Sequence, residues 1–158
     1  MIGLEAFFHF RFFSILYEYY ENNNSMFQDS SHFYLLVSSK TSNRNNVHWQ
    51  IKRVVSSTGP VGTALSEACR SSYSVPGQTE VLWVGSTGWE HHTSYRFNIQ
   101  HLPDQGLIRL KLYEGENLIE DSGDIIDNGA ESLRGGRLGV YCDSQEGITW
   151  SALSYRCL

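Results

Sequence analysis

Between residues 94 and 113 apolar and polar positions alternate almost without a break. Tyr95, Phe97 and Ile99 fall on one phase, and Ser94, Arg96, Asn98 and Gln100 on the other. A period of two marks a strand with one face in a core and one in water. Pro103-Asp104-Gln105-Gly106 follows. Proline presets φ, aspartate bonds nearby backbone and glycine accepts φ > 0, so the chain turns there. Ile108, Leu110 and Leu112 then alternate with Arg109, Lys111 and Tyr113. The two runs predict a β-hairpin. Glu114-Gly115-Glu116-Asn117 turns the chain again, into a short strand over 118–120.

The rest of the chain carries the same signal in shorter pieces. Strands are expected over 32–38, 48–55 and 80–84. In the second of these, Trp49, Ile51 and Val55 share the core phase, while His48, Gln50 and Lys52 share the water phase. Thr58-Gly59-Pro60 ends it, because proline cannot donate to a ladder. Residues 63–69 suit one or two helical turns on Ala64, Leu65 and Ala68. Near the N-terminus, Phe8, Phe10 and Phe12 alternate with His9 and Arg11, which suits a strand, and 21–25 reads as a polar loop.

Gly135-Gly136 opens a last unit, expected to be a hairpin with its turn at 144–147. Its second strand switches apolar phase, from Ile148, Trp150 and Ala152 to Leu153, Tyr155 and Cys157, as one extra residue in a β-bulge would cause. Many short strands with frequent turn signals predict an all-β antiparallel sandwich or jelly roll.

Length and composition agree. The 158 residues suffice for one domain, and 41% hydrophobic with 13% aromatic content and 14 glycines favours strands joined by tight turns. The net charge of −5 is scattered and no basic stripe exists to neutralise phosphates, which argues against nucleic acid as a partner. No apolar run is long and clean enough to span a bilayer, so no transmembrane segment is expected. Cys69, Cys142 and Cys157 lack metal-type spacing, and an odd count leaves at least one thiol free or paired outside the chain. In the expected last hairpin Cys142 faces a residue near Thr149, beyond direct reach of Cys157; a bridge from Cys69 to either stays open. Asn23-Asn24-Ser25 is a glycosylation sequon, with Asn23 the acceptor, and leans towards a secreted context. The N-terminal segment does not fit a signal peptide: Glu5 comes first, Arg11 interrupts the apolar run, and no small-residue cleavage site follows.

Candidate chemistry is sparse. Glu90-His91-His92 holds good ligand types, but adjacent strand residues point to opposite faces, so a solvated turn is expected. Glu114, Glu116, Glu120, Asp121, Asp124 and Asp127 form an acidic stretch. Calcium needs six or more converging oxygens; Asp121 and Asp124 are the candidate ligands, against a solvated rim as the alternative. Glycosidases need two carboxylates aimed at one bond, whereas Glu114, Glu116 and Glu120 straddle a turn. No G-x-S-x-G elbow exists. A non-catalytic protein is expected. Trp89, flanked by Gly88 and Glu90, is the candidate for stacking on a sugar ligand, with core packing as the competing role; Trp49, Trp83 and Trp150 sit in apolar phase.

A set of strings occurs in fixed order: Gln28-Asp29-Ser30-Ser31-His32-Phe33-Tyr34, Ser56-Ser57-Thr58-Gly59-Pro60, Pro76-Gly77-Gln78, Gly88-Trp89, Ser94-Tyr95-Arg96 and Tyr113-Glu114-Gly115. Asp121-Ser122-Gly123, Gly135-Gly136-Arg137-Leu138-Gly139-Val140, Ser144-Gln145-Glu146 and Tyr155-Arg156-Cys157 continue it. Together they resemble the thrombospondin C-terminal, lectin-like domain, in the subgroup that includes cartilage oligomeric matrix protein. The resemblance covers 28–158 and leaves 1–27 as an atypical N-terminal segment, with the family's first strands missing or replaced. The acidic segment that precedes this region in the family, which looks to supply calcium ligands there, is replaced here by Tyr19-Tyr20-Glu21-Asn22-Asn23-Asn24-Ser25.

The resemblance implies a jelly-roll sandwich of the legume-lectin type, secreted, with structural calcium in relatives. It implies adhesion through matrix proteins or cell-surface receptors, with a carbohydrate-binding lectin-type module as the alternative. Two family strings tied to an integrin-associated receptor correspond to 32–39 and 108–117, both expected in strands. The family's last cysteine looks to pair upstream of this domain, which would leave Cys157 free.

Overall fold

The computed structural model describes residues 5–9, 14–18, 32–37, 49–55, 78–90, 93–130, 132–133, 137–141 and 149–154. Its strands in chain order are β1 (Glu5–His9), β2 (Ser14–Glu18), β3 (His32–Val37), β4 (Gln50–Val55), β5 (Thr79–Val84), β6 (Ser94–Leu102), β7 (Leu107–Glu114), β8 (Asn117–Asp121), β9 (Ile125–Ile126), β10 (Arg137–Tyr141) and β11 (Thr149–Ser154). One sheet runs β11-β1-β6-β7-β8, with β9 also on β7; the other runs β10-β2-β3-β4-β5. The described pairs are antiparallel. The all-β sandwich read from periodicity is the fold. No helix among the described residues is long and apolar enough to cross a membrane.

The predicted hairpin is β6–β7, in register from Tyr95↔Glu114 to Leu102↔Leu107. Pro103–Gln105 closes a single 3-10 turn, and Gly106 ends it at φ 62°, a left-handed position that glycine occupies without a Cβ clash. The Gly106 N–H donates to the Pro103 carbonyl at 3.1 Å.

The core lies between the sheets. Tyr95, Phe97, Ile108, Leu110 and Leu112 from β6 and β7 meet Tyr34, Leu36 and Ile51 from β3 and β4. Trp49 is fully buried at its centre, crossing Phe97 at 5.2 Å and Tyr95 at 6.0 Å between ring centroids, both at 63°. Edge-to-face contacts of this kind add about 0.5–1.5 kcal/mol to area burial.

Three features differ from the sequence reading. First, β3 and β4 are dry on both faces: Phe33, Leu35 and Val37 are buried on the side away from the core, and so are Gln50 and Lys52, which are 2% and 0% exposed rather than solvated. Polarity in the sequence reports a side chain's preference, not what covers it. Second, β10 and β11 do not form a hairpin. β10 pairs with β2 and β11 with β1, in different sheets, and the expected placement of Cys142 opposite Thr149 lies outside the described residues. Third, residues 1–27 supply two strands where the alternation at 8–12 suggested one, β1 between β11 and β6 and β2 between β10 and β3.

The expected bulge in the last strand is present. Glu5 and Phe7, two steps apart, face Ser154 and Ser151, three steps apart, so β11 holds one extra residue there. The suggested helical turns at 63–69 lie outside the described residues.

Candidate binding face

Every second residue of β6 and β7 that does not enter the core stands on the outer face of the first sheet. Register pairs them as Arg96 with Tyr113, Asn98 with Lys111 and Gln100 with Arg109. On β8, Asp121 lies opposite Lys111. The face is therefore a ladder of polar side chains held by strand hydrogen bonds, a fixed support rather than a loop.

Charges on this face are arranged in definite pairs. The Arg109 guanidinium donates from Nε to Asp121 Oδ1 at 3.0 Å, from Nη2 to Asp121 Oδ2 at 2.8 Å, and from Nη1 to Asp124 Oδ1 at 3.2 Å. These bonds hold the Asp121 carboxyl below its usual range and raise Arg109 further. The Gly123 N–H adds a bond to Asp121 Oδ1 at 3.0 Å. Arg96 lies over the Tyr113 ring, 4.2 Å from its centroid, with Glu116 at 3.6 Å.

The two calcium candidates are thus brought together, but by an arginine. Calcium takes about six to eight oxygens, and among the described residues no three His, Cys, Asp or Glu side chains converge as metal ligands. The guanidinium already fills the space between Asp121 and Asp124. The pair does not fit a calcium ion, and no role is assigned to one there.

The rest of the acidic stretch divides by environment. Glu114 and Glu116 are exposed beside the β7–β8 turn. Glu120 Oε1 accepts four bonds, from the Ser86 N–H and hydroxyl at 2.6 and 2.9 Å and from the Thr87 N–H and hydroxyl at 2.7 and 3.0 Å. It ties the loop after β5 to β8. Asp127 is buried, not part of a solvated rim. It accepts from the Tyr34 hydroxyl at 2.6 Å, from the Gly129 N–H at 3.1 Å and from the Arg53 guanidinium, which also pairs with Glu80. The Leu133 N–H donates to Tyr34 at 3.2 Å. Burial, reinforced by the bond to Asp127, raises the Tyr34 phenol well above its ordinary range. This clamp joins β3 and β4 to the segment after β9. Sequence reasoning missed it, because Arg53 and Asp127 are remote in the chain and neither stands out locally.

Trp89 is 3% exposed and belongs to the core cluster, so its ring offers no face to a sugar. Its flanking Gly88 and Glu90 mimic a surface setting, but they are spent inwards: the Gly88 carbonyl accepts from Trp49 Nε1 at 3.3 Å, and the Glu90 N–H donates to the Tyr95 hydroxyl at 2.9 Å. Asn23, His91, His92 and the three cysteines lie outside the described residues. The 32–39 and 108–117 strings fall in β3 and β7–β8. Phe33 to Val37 are all buried, whereas β7 buries Ile108, Leu110 and Leu112 and turns Arg109, Lys111 and Tyr113 outwards.

Comparison with known proteins places this sequence in a lineage. The sequence profile of the thrombospondin C-terminal region matches residues 12–158. Thrombospondin-3 of Homo sapiens is 42% identical over 146 residues, 83% of this chain and 14% of that protein. Thrombospondin-4 of Bos taurus is 40% identical over the same share of this chain and 14% of its own length. Cartilage oligomeric matrix protein of Bos taurus is 40% identical, with 18% of its length matched. The chain thus spans about a seventh of the thrombospondins it matches. It belongs to the thrombospondin C-terminal region family, a module of extracellular-matrix proteins.

Proposed function

We propose that this chain is a secreted, non-catalytic adhesion module that binds matrix proteins or cell-surface receptors through the outer face of the β6–β7–β8 sheet. The observation that carries the reading is the fixed set of outward charges, Arg96 on β6, Arg109 and Lys111 on β7, Asp121 on β8 and Asp124 just after it. Paired charges of both signs on a rigid support favour orientation and partner choice over raw affinity. The family membership supplies the setting, and 28–158 is proposed as the binding domain, with 1–27 as the segment that completes its sheets. Calcium, implied by the resemblance, is not assigned to Asp121 and Asp124.

The test is retention of the full chain on immobilised cell-free matrix. Retention should survive prior glycosidase treatment of the matrix and disappear after protease treatment. It should also fall when Arg109 is reversed to glutamate. Retention that vanishes with glycosidase, or that ignores Arg109→Glu, would count against the assignment.

A further inference from the structure

Directly after Asp127 the chain carries Asn128-Gly129, the one Asn-Gly pair of the sequence. We propose that Asn128 is a site of spontaneous succinimide formation and conversion to isoaspartate, and that Asp127 of the buried clamp restrains the reaction. The inference does not rest on the binding role.

An asparagine before glycine is the one most open to this chemistry, because glycine has no Cβ to shield its nitrogen from the preceding side chain. The Gly129 nitrogen loses its proton and attacks Asn128 Cγ. The N–Cγ bond forms, the Cγ–Nδ2 bond breaks, and ammonia leaves with a proton equivalent to the one Gly129 gave up. Water then opens the cyclic imide at either carbonyl. Opening at the main-chain carbonyl routes the backbone through the former side chain, which is isoaspartate; opening at Cγ gives aspartate. Nothing is oxidised or reduced, and water is the only co-reactant.

The surroundings both retain this pair and slow it. Asn128 is exposed and lies two residues past β9, outside the strands. A Cβ at Gly129 would fall against the Arg53 guanidinium, 3.1 Å from Cζ. That guanidinium cannot give way freely, because Asp127 and Glu80 both hold it. The clamp therefore requires the residue that makes Asn128 labile. It also opposes the attack. The Gly129 N–H donates to Asp127 Oδ1 at 3.1 Å, and this is the proton that must leave. The charge that develops on the nitrogen faces a carboxylate. The Gly129 carbonyl in turn accepts from the Ser132 N–H at 3.0 Å, which holds the turn. A step that must first break a bond to a charged acceptor is slowed by about tenfold or more.

The experiment incubates the full chain at physiological pH and temperature, folded and in urea. Peptide mapping with electron-transfer fragmentation follows Asn128 and separates isoaspartate from aspartate. The folded parent should form isoaspartate measurably, at about a tenth of the urea rate or less. Asp127→Ala should raise the folded rate by about tenfold or more, and amide hydrogen exchange at Gly129, which removes the same proton, should rise with it. Tyr34→Phe loosens the clamp but keeps the Gly129–Asp127 bond, and should stay within about twofold of the parent. Asp127→Asn keeps an acceptor oxygen without the charge and should fall between parent and Asp127→Ala, which preserves the test where the alanine variant folds poorly. A folded parent that yields no isoaspartate, or yields it as fast as the urea sample, would overturn the proposal. So would a Tyr34→Phe rate equal to that of Asp127→Ala, or an Asp127→Asn rate no faster than the parent.

Discussion

Asp127→Ala should cost about 3–5 kcal/mol of folding stability, because removing one partner of a buried ion pair leaves the other charge uncompensated. Arg53 is the charge left behind, with its side chain 11% exposed and Glu80, 56% exposed, as its remaining carboxylate. Two further donors lose their acceptor: the Tyr34 hydroxyl and the Gly129 N–H. Tyr34→Phe is the graded comparison. It keeps the Arg53–Asp127 pair and deletes one bond to a charged acceptor, worth about 1.5–3 kcal/mol. For a domain of this size each 1 kcal/mol moves the melting temperature by about 2–4 °C. Asp127→Ala should therefore melt roughly 6–20 °C below the parent, with Tyr34→Phe between them. Urea denaturation followed by tryptophan fluorescence measures both, since Trp49 sits in the same core. An Asp127→Ala variant within about 0.5 kcal/mol of the parent, or a larger loss from Tyr34→Phe, would refute the clamp.

Two other outcomes follow from the same geometry. Glu120→Ala should accelerate amide hydrogen exchange at Ser86 and Thr87 by about tenfold or more, as both N–H groups lose their acceptor, while exchange in β7 stays unchanged. The Asp121 carboxyl should titrate below the ordinary aspartate value of about 3.9, because the Arg109 donors favour its charged form. A lowered native pKa adds stability above the unfolded value and loses it as pH falls through the native one. The stability gap between parent and Asp121→Asn should therefore be constant above about pH 5 and close in more acidic solution; a carboxyl carbon titration by NMR, or a gap that widens on acidification, decides it.

How far the fold was legible depends on what alternation reports. Tyr95 to Ile99 and Ile108 to Leu112 name a buried face, and a short turn between them leaves one partner available, so β6–β7 was readable to within two residues. Leu138 and Val140 name a face equally well, but nothing in their spacing says that β10 lies beside β2 and not β11. Pairing over long separations is a property of the assembled sheets. The same limit hid the site. Asp127 looks like its acidic neighbours until Arg53 and Tyr34 are brought to it. Asp121 and Asp124 look like ligands until Arg109 occupies them. Gly88 and Glu90 made Trp89 look exposed, although their backbones serve the interior. The family was legible because an ordered set of short strings survives where periodicity is ambiguous.

The position of β1 also sets the order in which the molecule can be finished. Phe8 stands beside Tyr95 on one side and Trp150 on the other, so β1 must wait for β11, far along the sequence, before both its edges are paired. β2 waits in the same way for β10. Until β10 and β11 have been made, β1 and β2 each carry an open strand edge.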